Sequence, residues 1–159
     1  NFYNLVANKY SDSKSMMCVG RGTLEVIACE TALKIKEISY IHSEGYSAAD
    51  LKHGPLALIS PETPTIAFVQ SGLLGDKVIS NIHEIKSRFG SVIAIASSSQ
   101  YEKVKEKVDY SLEIDELSNE YLNSILYLVV GQNIAYYLAK ELGRPIDRPR
   151  NLAKSVTVE

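Results

Sequence analysis

The sequence predicts an α/β/α sandwich built on a parallel sheet of four or five strands. Three observations carry that expectation. Short apolar runs at residues 16–19, 65–69 and 91–96 are continuous rather than alternating, as in strands buried on both faces, and residues 110–114 read as a fourth strand. Longer segments with apolar residues at helical spacing lie between them, the order expected of βαβ units. The runs also stop at turn-forming residues: Gly20-Arg21-Gly22, Ser71-Gly72 and Ser97-Ser98-Ser99.

Residues 1–10 mix polar and apolar side chains at helical spacing. After the first strand, residues 23–42 read as a helix with Ile27, Leu33, Ile35, Ile38 and Ile41 on its apolar face. Residues 43–50 read as the one linker-like stretch, and 55–58 as a short helical turn. Residues 73–89 follow as a helix closed by Gly90 just past its C-cap. Residues 101–108 form a charged helix, and 120–142 a long one closed by Gly143. Beyond it Pro145 and Pro149 forbid a continued helix. One domain over 1–142 and an irregular tail over 143–159 are therefore expected.

Composition narrows the function classes. At 159 residues the chain is about one domain, long enough to bury ~70% of its unfolded surface. With 17 basic and 19 acidic residues it has no excess positive charge to suggest a nucleic acid or an anionic membrane as partner. No apolar run approaches the ~18 residues of a membrane-spanning helix. Cys18 and Cys29 lie in apolar contexts and are expected as buried thiols of a reducing, cytoplasmic compartment. No His, Cys, Asp and Glu set has metal-ligand spacing, and no cofactor is expected. The N-terminus carries neither a signal peptide nor an initiating Met, which predicts a piece of a longer protein.

In open parallel sheets ligands sit beyond the carboxyl ends of the strands, which singles out the loops at 20–22, 70–75 and 97–100. Gly20-Arg21-Gly22 lacks the third glycine of a dinucleotide fingerprint. The serine loop suits either a helix cap or a phosphate cradle. Elsewhere, Glu30, Lys34 and Glu37 fall on one helical stripe at i, i+4 and i+7. Such a stripe is either a solvated salt-bridge ladder or a tuned general base. His53 sits in a turn before Gly54-Pro55, whereas His42 and His83 are placed in helices without converging partners. The final segment, with Arg150, Lys154, Val156 and Val158, reads either as a packing tail or as one that brings Lys154 to a site.

Residues 32–42 (ALKIKEISYIH), 50–58 (DLKHGPLAL) and 148–159 (RPRNLAKSVTVE) strongly resemble the isomerase domain of the glutamine–fructose-6-phosphate aminotransferase (isomerising) family. The resemblance covers nearly the whole chain in order. It implies a sugar isomerase (SIS) domain of flavodoxin-like α/β/α architecture, the second of two in each family member. It also implies a glutaminase domain and a first SIS domain outside this chain. The implied reaction converts fructose 6-phosphate and glutamine-derived ammonia to glucosamine 6-phosphate in a homodimer, without cofactor. By the same resemblance Glu37 is the acid/base that moves a proton between C1 and C2, assisted by Lys34. His53 serves ring opening from the neighbouring subunit, Lys154 reaches the sugar near its carbonyl carbon, and Glu30 and Ala153 contact substrate. Thr31 departs from the glycine common in the family, and Thr23-Leu24-Glu25 varies a variable loop. A related sugar-phosphate isomerase or deglycase, or a SIS module that only binds sugar phosphates, is the alternative.

Overall fold

The computed structural model describes residues 1–152. Helix α1 (Phe2–Tyr10) precedes β1 (Ser15–Gly20), α2 (Thr23–Ser39) and β2 (His42–Ser47). Two 3-10 turns, Asp50–His53 and Pro55–Leu58, lead to β3 (Thr65–Val69) and α3 (Gly72–Lys86). Then come β4 (Val92–Ser97), α4 (Ser98–Val104), a 3-10 turn (Lys105–Lys107), β5 (Tyr110–Ile114) and α5 (Glu120–Glu141). The strands form one sheet in the order β2-β1-β3-β4-β5, and every pairing is parallel. The order reverses between β1 and β3, the switch point where such sheets open a crevice.

Period-two alternation sends each strand's residues to opposite layers. Met16, Cys18, Ile66, Phe68, Ile93 and Ile95 meet the layer of α1, α2 and α5. Val19, Ala67, Val69, Val92, Ala94 and Ala96 meet α3, α4 and the turn bearing Leu51. Both faces are covered, which is why the central strands read as unbroken apolar runs. Each fully buried Ile or Phe contributes about 1.5–3 kcal/mol of transfer free energy.

Several boundaries differ from the sequence reading. Residues 43–50 are not a linker: most of them form β2. This is an edge strand with the polar sequence HSEGYS, so it shows neither an apolar run nor a clean alternation. Gly45 lets it lie against α2, because a Cβ there would come 2.4 Å from Cys29 Cα. Helix α2 therefore stops at Ser39, and His42 opens a strand instead of ending a helix. The core face of α2 is Leu24, Ala28, Thr31, Ala32, Ile35 and Ser39, while Leu33 is exposed. Small residues on that face admit α5 closely: a Cβ on Gly131 would meet Thr31 Oγ1 at 2.1 Å. Cys29 is exposed on the outer side of α2, and only Cys18 is a buried thiol. At the end of α3 the left-handed residue is Phe89 (φ 60°), not Gly90, whose N–H bonds back to Ile85 O. Gly143 (φ 62°) closes α5 as expected, with its own N–H on Lys140 O and that of Arg144 on Ala139 O.

Candidate functional site

Helix α2 links two concave regions. It crosses back from the carboxyl edge of the sheet to the amino edge, where His42 pairs with Ser15 at the start of β1. Thr23 thus lies at one edge and Glu37 at the other, about 21 Å apart at 1.5 Å per residue.

At the carboxyl edge a cavity of about 360 Å³ opens at the switch point and extends over β4 and β5. The loops expected at 70–75 and 97–100 contribute to its lining, whereas Thr23 and Leu24, just after the loop expected at 20–22, line it in that loop's place. Thr23, Gln70, Ser71, Ser97, Asp115, Glu116, Glu120 and Asn123 line it with Tyr127. Tyr127 donates to Val69 O at 2.9 Å, and burial raises its phenol pKa. Gln70 Nε2 donates to Arg21 O at 3.0 Å, while Gln70 Oε1 is buried without a partner. The Arg21 guanidinium turns away to Asn81 Oδ1, at 3.0 and 3.3 Å. Three carboxylates and no Lys or Arg line the cavity, a poor match to a phosphate. Ser97 takes the N-cap position of α4 without a side-chain capping bond; its hydroxyl lies 3.3 Å from that of Ser99.

At the other end of α2 the stripe is assembled as its spacing requires. Lys34 Nζ donates to Glu37 Oε2 at 2.7 Å and lies 3.6 Å from Glu30 Oε1. The hydrogen bond to Glu37 is the main cause that raises the Lys34 pKa, so its ammonium stays charged. Glu37 also borders a groove formed by Leu33, Lys36 and Tyr40 on α2 and by Arg150, Asn151 and Leu152 of the C-terminal segment. His53 is exposed at the end of its 3-10 turn, and among the described residues no hydrogen bond or ion pair joins it to the stripe. Lys154 and Ala153 lie outside the described residues, as do Val156 and Val158.

Sequence reasoning missed Tyr40. It ends α2 in the left-handed conformation (φ 67°, ψ 11°), a position usually filled by Gly or Asn. Its hydroxyl accepts the Arg150 N–H at 2.9 Å. The Arg150 and Arg144 guanidinium carbons lie 4.4 and 5.2 Å from its ring centroid. Two exposed cation–π contacts at about 0.5–1 kcal/mol each, with a hydrogen bond near ~1 kcal/mol, offset the ~1–2 kcal/mol cost of that backbone. The detectable signal was a Tyr where the helix had to end.

The SIS domain model matches residues 9–142. This chain belongs to the SIS domain family. The SIS domain here is similar to the glutamine–fructose-6-phosphate aminotransferase [isomerizing] of Thermococcus kodakarensis, 45% identical over 97% of the chain, and to that of Methanosarcina acetivorans, 47% identical over 96%. It spans 25% and 24% of those relatives, about a quarter of their length. Among solved structures it superposes on the C-terminal domain of glucosamine-fructose-6-phosphate aminotransferase from Francisella tularensis with a TM-score of 0.87 and 35% identity. That match covers 92% of this chain and 41% of the other.

Proposed function

We propose that this SIS domain is the acid/base half of an aminotransferase that converts fructose 6-phosphate and glutamine-derived ammonia to glucosamine 6-phosphate. The observation that carries the reading is the Glu37 carboxylate, held at 2.7 Å by Lys34 beside a groove that the C-terminal segment borders. The C-terminal segment is part of the resemblance as well as of the groove.

The chemistry needs one base against one face of the sugar. Ammonia condenses with the C2 ketone and water leaves, giving an imine. Glu37 takes a proton from C1, and the electron pair forms the C1=C2 bond as the imine nitrogen gains a proton. Return of the proton to C2, with release of the C1 hydroxyl proton to make good the one the nitrogen took up, leaves the C1 aldehyde of the amino sugar. Lys34 holds the Glu37 carboxylate in place through their 2.7 Å hydrogen bond. Lys154 stabilises charge near the carbonyl carbon, and His53, from the neighbouring subunit of a cytoplasmic homodimer, passes a proton to the ring oxygen. Glu30 and Ala153 contact the sugar. The phosphate is held outside this chain, as the anionic lining of the carboxyl-edge cavity suggests.

The test is an assay of the full-length protein for glucosamine 6-phosphate with glutamine as donor, beside the isolated 159-residue chain. The full-length protein forms the product and the isolated chain does not, since it lacks the glutaminase and the part that positions the sugar. In the full-length protein Lys154→Ala lowers sugar turnover and leaves glutamine hydrolysis measurable. Equal loss of both activities would make the tail a structural clasp.

A further inference from the structure

We propose that Tyr40 is a positioning residue: it clamps the C-terminal segment onto the last turn of α2, beside Glu37, and acts through the tail lysine to which the function proposed above gives a role. The inference rests on the function proposed above. Tyr40 lies one helical turn beyond Glu37, on the same side of α2, and both border the groove. Three separate contacts converge on its side chain: the Arg150 N–H on its hydroxyl, and the Arg150 and Arg144 guanidinium groups against its ring. The two arginines arrive by different routes. The turn after α5 bonds the Arg144 N–H back to Ala139 O and so directs Arg144 at the ring. Arg150 comes six residues later, after both prolines. Tyr40 thus pins the segment at its beginning and again at its middle. Lys154 is four positions beyond Arg150, a span of at most about 14 Å. Wherever the clamp holds Arg150, it bounds where Lys154 can act.

The backbone of Tyr40 argues in the same direction. A left-handed helix end favours glycine, and at Tyr40 the contacts of the side chain offset that cost. Phe89 has a similar φ of 60° but is 83% exposed, and no aromatic or cation contact to it is found among the described residues. It is the internal control.

The test uses the full-length protein with Tyr40→Gly, Lys154→Ala, the double variant and Phe89→Gly. Glycine suits φ 67°, so Tyr40→Gly removes the clamp without straining the helix end, and melting temperature verifies folding. Tyr40→Gly is expected to lower kcat for the amino sugar by about 10- to 100-fold through misplacement of the tail lysine. Glutamine hydrolysis stays within about twofold, because ammonia release does not use the tail lysine. The double variant should match Lys154→Ala alone, because a residue acting through Lys154 has nothing left to position. Phe89→Gly should leave both activities unchanged. Full turnover in Tyr40→Gly, losses that multiply in the double variant, equal loss of glutamine hydrolysis, or an equal effect of Phe89→Gly would each overturn the clamp. If Lys154→Ala alone has no effect, the function proposed above fails, and the clamp fails with it.

Discussion

The two ends of α2 offer opposite kinds of site. At its first turn lies a recessed cavity with hydroxyls, amides and carboxylates, at the place where parallel sheets usually bind ligands. At its last turn lies a groove with exposed Leu33 on one wall, a carboxylate–ammonium pair beside it and the C-terminal segment across it. The first is well enclosed but lacks a cation for a phosphate. The second holds the carboxylate–ammonium pair to which the proposed function gives the proton transfer, but it is the more open of the two. On the proposed function, the difference teaches that a fold's usual ligand position and its reactive groups can separate when a domain works as one part of a longer chain. The helix suits that role, because a buried inner face makes α2 a rigid support for its outer face.

That comparison depends on α2 being rigid, and the inner face can be broken. Ile35→Ala in this chain should cost about 2–5 kcal/mol of stability, since Ile35 is fully buried beneath the stripe. Chemical denaturation measures it, and a loss below about 1 kcal/mol would mean that the two ends of α2 are not held in fixed relation. The cysteines compare the sheet under α2 with its outer side. A thiol reagent should modify Cys29 in the native chain and reach Cys18 only on unfolding. Complete burial pushes the Cys18 thiol up to about 12 from an ordinary 9.0. Its contribution to stability is therefore fully present below about pH 9 and lost as pH rises toward 12. Native reactivity of both thiols would contradict the packing of β1 under α2. The smallest effect concerns Thr31, whose buried Oγ1 has no partner against Gly131. Thr31→Val keeps the shape and should be neutral or stabilising by up to about 1 kcal/mol. A clear loss in the same denaturation experiment would reveal a bond to that hydroxyl.

Much of this was legible in the sequence, for definite reasons. The three inner strands were readable because burial on both faces leaves a continuous apolar run, and α5 because a long apolar helical segment is closed by Gly143; the edge strand β5 was readable through Tyr110, Leu112 and Ile114. Strand β2 was not, because an edge strand beside a helix is shaped by Gly45 and polar residues rather than by apolar ones. On the inner face of α2, Ile35 is buried and Ile27 and Ile38 pack against the core as read, but Leu33 faces the groove, and the small residues Ala28, Thr31, Ala32 and Ser39 went unread because close helix packing selects them. The Glu30, Lys34 and Glu37 stripe followed from helical spacing alone. Tyr40 and its arginines did not, since residues 110 apart in sequence meet only in the folded chain.

The central claim is that chemistry belongs to the last turns of α2 and not to the cavity at its start. The most direct measurement compares Glu37→Gln with Glu116→Gln in the full-length protein, following glucosamine 6-phosphate formation and melting temperature together. Glu37→Gln is expected to lower the rate by ~10²–10⁴ through loss of the base. A partly exposed carboxylate contributes little to stability, so melting should shift by no more than a few degrees. Glu116→Gln, in the cavity wall, should keep the rate within about twofold. Near-normal turnover in Glu37→Gln, or a comparable loss in Glu116→Gln, would contradict the assignment.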